Sequence, residues 1–150
     1  MRVLEFFSGI GGMHLSLEGA LDSLSTEKKT NLTEGTLSFS AFDTSDLVNQ
    51  CYRKNFPCET VRQVNIETIK LVDLDGKAEV WTMCPPCQPF TRTQNSKQLD
   101  LADKRNKGFL YLMNILERMT DKPEWIFFEN VNLLCIYIYI DVLLSTDVEI

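Results

Sequence analysis

The sequence predicts an open α/β fold built on a parallel sheet, and three observations support this. Short apolar segments of strand character alternate with segments that have the apolar spacing of helices. Every predicted strand ends in glycine, cysteine or polar residues, as expected where the carboxyl ends of parallel strands form a ligand-binding edge. No internal repeat and no linker interrupts the 150 residues, so a single domain is predicted.

The first half of the chain is predicted to hold three strands. Residues 2–6 form an apolar strand, and the polar segment 25–35 is predicted to be a mobile loop. Between them lies a helix, 13–24, whose buried face carries Leu17, Ala20, Leu21 and Leu24. The remaining elements are a strand at 37–42, a helix from its Ser45 cap to residue 55, a strand at 60–63 and a short helix after Ile66.

The second half is predicted to add two strands and one long helix. A strand at 80–83 enters the Cys-Pro-Pro-Cys-Gln-Pro segment at 84–89, where three prolines exclude a helix. A helix at 106–119 and a strand at 125–128 follow. The β-prone Cys-Ile-Tyr-Ile-Tyr-Ile run at 135–140 does not suit the helix expected next, so the end of the chain is predicted to diverge from the preceding design.

Composition limits the class of protein. The chain is 44% hydrophobic and 24% charged and has no apolar run long enough to cross a membrane, and Glu5 within the first segment predicts that no secretory signal is present. Its five cysteines are therefore predicted to be thiols, and its location cytoplasmic or nuclear. The net charge of -6 argues against a free-standing nucleic-acid binder, although it leaves room for an enzyme with a local basic channel.

A glycine-rich turn and an acid follow the first two strands. The Phe-Ser-Gly-Ile-Gly-Gly segment at 7–12 lets a ligand approach the backbone closely, because glycine has no β-carbon. Asp43 ends the second strand, where a carboxylate can accept hydrogen bonds from the hydroxyls of a ribose. It lies farther from the turn than the roughly 20 residues usual for that motif. Asp43 could equally cap the next helix.

Cys87 is the sharpest candidate nucleophile, because a rigid loop at the sheet edge can hold a thiolate against a substrate. Cys84 and Cys87 could instead be half of a zinc site, but the chain offers no suitably spaced further ligands, so no metal is predicted. A thiol–disulfide redox pair is a second alternative, although such pairs begin a helix that the following Gln-Pro does not continue. An inert buried cysteine is the third.

Glu129 ends an otherwise apolar strand, where a buried carboxylate would be costly without a partner. If the fourth and fifth strands are neighbours, Glu129 and Cys87 face a common pocket. A carboxyl group that holds a ring nitrogen, with a thiolate that adds to the adjacent carbon, suits attack on an amidine-like ring. Glu129 could also simply cap the next turn.

Three ordered motifs resemble the DNA cytosine-5 methyltransferase family. They are the Phe-Ser-Gly-Ile-Gly-Gly turn at 7–12, Pro-Cys-Gln at 86–88 and Glu-Asn-Val at 129–131. The longer string Pro-Pro-Cys-Gln-Pro-Phe-Thr-Arg at 85–92 and Gly-Gly-Met-His at 11–14 are similar to the branch that methylates transfer RNA for aspartate. The resemblance covers the chain from residue 1 to about 131 and implies a Rossmann-like fold dependent on S-adenosylmethionine.

The resemblance also implies a role for each matching residue. Cys87 would add to carbon 6 of cytosine and Glu129 would hold ring nitrogen 3, once the base is turned out of its stack. Residues expected to surround S-adenosylmethionine are Ile10, Gly11 and Gly12 at its methionine end, Asp43 at its ribose, Asn65, Ile66 and Glu67 at its adenine, and Cys84 beside it. Asn65 stands where many relatives have aspartate, and Thr44 where an apolar residue usually packs on the adenine.

The similarity ends after residue 131. The helix, later strands, target-recognition region and final Asn-containing helix of the family have no counterpart in 132–150, so we expect a C-terminally truncated domain at 1–131 with a divergent tail. The implied function is methyl transfer to carbon 5 of cytosine in tRNA, or in DNA, with nucleic acid as partner, no membrane and no metal. This chain alone is expected to be inactive. The alternatives are a thiol–disulfide oxidoreductase using Cys84 and Cys87, and a non-catalytic fragment that binds cofactor.

Overall fold

Five parallel strands form one sheet in the computed structural model, which describes residues 1–27, 37–86 and 106–129. The strands are β1 (Arg2–Phe6), β2 (Ser38–Asp43), β3 (Thr60–Gln63), β4 (Val80–Met83) and β5 (Trp125–Phe128). Their order is β3-β2-β1-β4-β5. The chain thus starts in mid-sheet and changes direction between β1 and β4, which is where open α/β sheets bind ligands.

Helices cover both faces of this sheet. They are α1 (Gly12–Glu27), α2 (Asp46–Asn55) and α3 (Lys107–Arg118), with 3-10 turns at Ile66–Thr68 and Leu71–Asp73. Because successive strand residues point to opposite faces, Val3 joins the cluster of Phe39 and Val80 against which α1 packs, whereas Leu4 and Phe6 join the larger core. The α3 residues buried in that core are Phe109, Leu112, Ile115 and Leu116.

The predicted alternation of strands and helices is confirmed. The observed bounds of β1, β3, β4 and β5 are those the apolar segments predict, and β2 begins and ends one residue later. The prediction of a loop at 25–35 is wrong for residues 25–27, which continue α1. Residues 28–35 lie outside the described residues. Ala20 is exposed, because α1 meets the sheet through the narrow stripe of His14, Leu17 and Leu21, so its predicted place on the buried face is wrong.

Among the described residues, no helix is long and apolar enough to cross a membrane. The apolar side chains of β5 remain largely uncovered. Trp125, Ile126 and Phe127 are 61%, 39% and 43% exposed, and β5 has one strand neighbour, β4, in the described sheet.

One acidic side chain lies inside the sheet. Glu5 of β1 is 1% exposed, and its Oε2 accepts a hydrogen bond of 2.7 Å from the hydroxyl of Tyr52 in α2. Burial raises the pKa of Glu5 to about 7, although the Tyr52 hydroxyl and the His14 backbone amide act in the opposite direction. Because a buried charge is costly, the folded protein favours the neutral carboxyl at pH values where the unfolded chain is ionised.

We expect the contribution of Glu5 to the free energy of unfolding to fall as the pH rises from 4.5 to about 7, because Glu5 keeps a proton in the folded protein that it releases in the unfolded chain. Over that window the loss is about 3 kcal/mol, at about 1.4 kcal/mol per pKa unit. The neutral variant Glu5→Gln should lack this slope. Urea unfolding of both proteins from about pH 5 to pH 8 measures it, and equal slopes in the two would contradict the prediction.

Candidate functional site

The turn after β1 adopts a backbone that favours glycine. Phe7, Gly9 and Gly11 have φ angles of 55°, 53° and 93°. The amide of Ser8 donates to the carbonyl of Phe42 in β2 over 3.2 Å, and the amide of Gly11 donates to the carbonyl of Ser8 over 2.9 Å. Phe7 is the one non-glycine residue with positive φ among the described residues, and such strain, of order 1–3 kcal/mol, often accompanies a functional site.

Asp43 fastens this turn to the end of β2. Its Oδ2 accepts from the amide of Gly9 over 3.0 Å, and its Oδ1 accepts from the amide of Ser45 over 2.9 Å. An ionised carboxylate has about four acceptor positions, so two remain for further donors. The N-cap position of α2 is Ser45, so Asp43 is not the cap of this helix but a half-buried acceptor beside the turn.

The C-terminal end of α2 holds the turn from the other side. The side-chain amide of Asn55 donates to the carbonyl of Ile10 over 3.1 Å. The ring of Phe56 occupies the place that a β-carbon on Gly11 would need, so only glycine fits there. The sequence identified Gly11 but not these two partners, because an asparagine and an aromatic residue before a proline are common at helix ends.

One side of the turn is open. No described atom lies within 4 Å of the place that a β-carbon would take on Gly9 or Gly12, and Ile10 is 58% exposed. The buried Ser8 hydroxyl has no hydrogen-bond partner among the described residues. Gly12 begins α1, so the unpaired amides and positive end of that helix dipole lie here as well. Open space, an unmatched buried hydroxyl and spare carboxylate acceptors fit a ligand that carries a ribose with two hydroxyls, as S-adenosylmethionine does.

The end of β3 presents a short 3-10 turn. Asn65 caps it by accepting from the amide of Glu67 over 3.1 Å, and the Glu67 side chain is exposed. Ile66 is 3% exposed and belongs to the core, where Gly108 of α3 brings it next to the ring of Phe7. The partly buried Phe7 packs against the same core cluster as Ile66, which its motif position alone does not indicate.

The ends of β4 and β5 lie side by side. The two strands pair in parallel from Val80↔Trp125 to Met83↔Phe128, and the amide of Glu129 donates to the carbonyl of Met83 over 3.0 Å. The pairing confirms that β4 and β5 are neighbours, which the predicted common pocket of Glu129 and Cys87 requires. Glu129 is exposed rather than buried, because β5 is uncovered on this side. Cys87 lies outside the described residues, and Pro86 is the last described residue before it.

Cys84 follows β4 directly. Its amide donates to the carbonyl of Phe6 over 3.3 Å, and the residue is half-buried. Residues 84–86 are not helical, which does not match a redox site whose first cysteine starts a helix. In the described part of the chain, no three histidine, cysteine or acidic side chains group as a metal site would require.

The topology defines an open parallel α/β protein, in which a ligand site is expected between β1 and β4, where the strand order changes direction. The family model for C-5 cytosine-specific DNA methylase matches residues 1–136. The chain belongs to that family.

Similar proteins come from both RNA- and DNA-modifying groups. A tRNA (cytosine(38)-C(5))-methyltransferase of Rattus norvegicus is 37% identical over 132 residues, 87% of this chain and 30% of that protein. A DNA (cytosine-5)-methyltransferase of Dictyostelium discoideum is 38% identical over 135 residues, 87% of this chain and 31% of that protein. The crystal structure of the S. pombe Dnmt2 methyltransferase matches with a TM-score of 0.66 at 31% identity, covering 90% of this chain and 36% of that one.

A more distant methyltransferase shares the fold alone. The plantazolicin methyltransferase BpumL, solved in complex with SAH, has a TM-score of 0.51 at 13% identity, covering 99% of this chain and 45% of that one. The chain spans about a third of the length of the curated relatives named here, 30% of one and 31% of the other.

Gly11→Ala should lower the free energy of unfolding by about 2 kcal/mol or more, because the new methyl group meets the Phe56 ring at a positive φ. Gly19→Ala is the matched control. Its site in the middle of α1 is open among the described residues, so helix propensity should raise stability by about 0.5–1 kcal/mol. Chemical denaturation compares the two. Equal effects would show that Phe56 does not restrict Gly11.

Proposed function

We propose that this chain supplies the cofactor-binding and nucleophile-bearing part of an enzyme that methylates carbon 5 of cytosine in nucleic acid, with tRNA as the preferred substrate. The observation that carries the proposal is the arrangement of the sheet edge. Five parallel strands bring the Gly-rich turn, Asp43, the Asn65 turn, Cys84 and Glu129 to one side.

S-adenosylmethionine, when bound, supplies a sulfonium-activated methyl group. We assign its methionine end to the backbone of Ile10, Gly11 and Gly12, at the positive end of α1. Asp43 would bind its ribose with the acceptor positions left free by Gly9 and Ser45. Asn65, Ile66 and Glu67 would border the adenine, and Cys84 would lie beside the cofactor. The Phe7 ring, next to Ile66, extends this apolar border.

Two side chains are proposed to act on the base. The thiolate of Cys87 forms a bond to carbon 6 of cytosine, which makes carbon 5 nucleophilic, and the carboxyl group of Glu129 hydrogen bonds to ring nitrogen 3. After methyl transfer, removal of the proton on carbon 5 expels the thiolate and restores the ring. Support for this assignment comes from the exposure of Glu129 at the edge and the tie between its backbone and the end of β4.

The choice of tRNA over DNA rests on similarity. The Pro-Pro-Cys-Gln-Pro-Phe-Thr-Arg string resembles the tRNA-methylating branch, and relatives from rat, mouse and S. pombe carry that activity in their names. A DNA methyltransferase of similar identity keeps DNA as the second candidate. Since the chain spans about a third of such relatives, cofactor binding is proposed for the chain itself, and catalysis for the protein that contains it.

Cofactor binding is tested with S-adenosylhomocysteine, the demethylated form of the proposed cofactor. We expect it to raise the melting temperature, because a ligand that binds only the folded state stabilises that state. At a hundredfold excess over Kd, the free energy of unfolding should rise by about 2.7 kcal/mol. Asp43→Asn should weaken binding about tenfold, or about 1.4 kcal/mol. Asp75→Asn is the control, because Asp75 also accepts backbone amides, from Thr120 and Asp121, but outside the proposed site. Equal losses in both variants would contradict the assignment.

The nucleophile is tested in a chimera in which residues 1–131 replace the matching part of the S. pombe tRNA methyltransferase. With S-adenosylmethionine and a tRNA containing 5-fluorocytosine, we expect an adduct that survives denaturing electrophoresis, because fluorine on carbon 5 blocks release of the thiolate. Cys87→Ser should abolish the adduct and Cys84→Ser should retain it. A chimera that binds S-adenosylhomocysteine but forms no adduct would refute the role of Cys87.

A further inference from the structure

Three buried polar side chains connect the interior of the sheet to the Gly-rich turn. Glu5 of β1, Tyr52 of α2 and His14 of α1 are 1%, 0% and 1% exposed. Polar groups are costly to bury unless they are hydrogen bonded. None of the three has a part in the proposed contacts to cofactor or base, so the site leaves their burial unexplained.

The three side chains form one hydrogen-bonded chain. The Tyr52 hydroxyl lies 2.7 Å from Glu5 Oε2 and 2.7 Å from His14 Nδ1. On the other side of the imidazole, Nε2 lies 3.2 Å from Oε1 of Glu18, whose side chain is 47% exposed. The chain therefore runs from the middle of β1 to the surface of α1.

The imidazole is also clamped by two aromatic rings. His14 stacks on Phe39 with ring centroids 3.6 Å apart and on Phe56 at 3.7 Å, with interplanar angles of 12° and 13°. Phe56 is the ring that fills the space beside Gly11. The position of the imidazole therefore determines the position of Phe56, and through it that of Gly11.

The hydrogen bonds limit how many protons Glu5, Tyr52 and His14, together called the buried unit, can hold. Burial and the neighbouring Glu5 raise the pKa of Tyr52, so its hydroxyl stays protonated. In one arrangement the hydroxyl donates to an ionised Glu5 and accepts from Nδ1 of a doubly protonated imidazole. In the other, Glu5 keeps a proton and donates to the hydroxyl, which donates to Nδ1 of a neutral imidazole. Two protons shift by one bond each between these forms, and the total charge is unchanged.

Few other charges face this unit. Glu18 on α1 and Glu59 after α2 are the further acids that act on Tyr52. The strand neighbours of Glu5 are Ala41 and Thr82, which carry no charge. Glu5 Oε1 and the Thr82 hydroxyl have no hydrogen-bond partner among the described residues, so an ionised Glu5 is poorly solvated.

We propose that Glu5, Tyr52 and His14 share one proton and act as positioning residues that hold Phe56 against Gly11, so that the Gly-rich turn keeps its open form. When the unit loses that proton, Glu5 is left ionised and needs the Tyr52 hydroxyl as donor. The hydroxyl must then accept from Nδ1, so Nε2 loses its hydrogen and faces the Glu18 carboxylate without a bond. The imidazole loses an anchor, and the stack over Gly11 loosens.

His14 is the only histidine of the chain, so its ring nitrogens give unambiguous nitrogen-15 signals. We expect the wild-type ring, followed from about pH 5 to pH 9, to end as the tautomer with hydrogen on Nδ1. The Gly11 amide signal should shift with the same midpoint. In Tyr52→Phe, which keeps the ring but removes the hydroxyl, hydrogen should remain on Nε2 and the Gly11 shift should be lost.

Tyr111→Phe is the matched control. Its hydroxyl also donates to a buried acceptor, the Ile69 carbonyl at 2.6 Å, but on the other face of the sheet. This variant should keep the wild-type tautomer and the wild-type Gly11 shift. Hydrogen on Nε2 in the wild-type protein at high pH, or a Gly11 amide that does not follow the ring, would overturn the proposal.

The consequence for ligand binding rests on the proposed function. The Kd for S-adenosylhomocysteine, measured by calorimetry, should weaken about fivefold or more between about pH 6 and pH 8.5 in the wild type and in Tyr111→Phe. It should change little in Tyr52→Phe. Binding with the same pH ratio in all three proteins would refute the link to the turn. Absence of binding at both pH values would refute the proposed function, and the tautomer measurement would still decide the proton-sharing unit.

Discussion

The structure depends on how the turn after β1 is held. Its backbone passes through three positive φ angles in five residues, a conformation that the turn would not keep unaided. Asp43 binds it from the end of β2, and Asn55 and Phe56 bind it from the end of α2. These contacts leave the opposite side of the turn open, which a ligand-binding backbone requires.

The need to position Phe56 beside the turn also explains why a carboxyl group lies inside the sheet. An apolar residue at position 5 would pack under α1 at no electrostatic cost, whereas Glu5 is costly to ionise there. Glu5 instead anchors Tyr52, and Tyr52 anchors His14 within the stack that reaches Gly11. A rigid polar connection across the core thus links the sheet to the turn. The contribution of Glu5 to the stability of the fold decreases as the pH approaches neutrality.

The sequence predicted the sheet and the polar residues at the carboxyl ends of its strands well, because strands buried on both faces are apolar runs that end abruptly in polar residues. The candidate residues Gly11, Asp43 and Glu129 were predicted for the same reason, and they lie at or after the ends of β1, β2 and β5. The partners of the turn were not, since Asn55 and Phe56 act over a long separation in sequence. His14 and Tyr52 are also unremarkable in their own helices, and their connection to Glu5 depends on how α1 and α2 pack. Periodicity gives no information about that packing, and it placed Ala20 on the wrong face.

The uncovered β5 and the exposure of Glu129 belong to the same account. An acid that is proposed to contact a substrate base must remain accessible, and Glu129 is placed by its backbone bond to Met83 rather than by burial. The exposed apolar side chains of β5 make this edge suited to further packing. The turn, by contrast, is held by contacts from Asp43, Asn55 and Phe56.

The most direct test of the central claim is a titration of the nitrogen-15-labelled chain with S-adenosylhomocysteine, followed through its backbone amide signals. We predict saturable shifts concentrated at residues 8–12 and at Asp43, with much smaller changes at the distant Asp75 and Thr120. Absence of shifts, or shifts that avoid the turn, would contradict the claim that this open turn is a cofactor site.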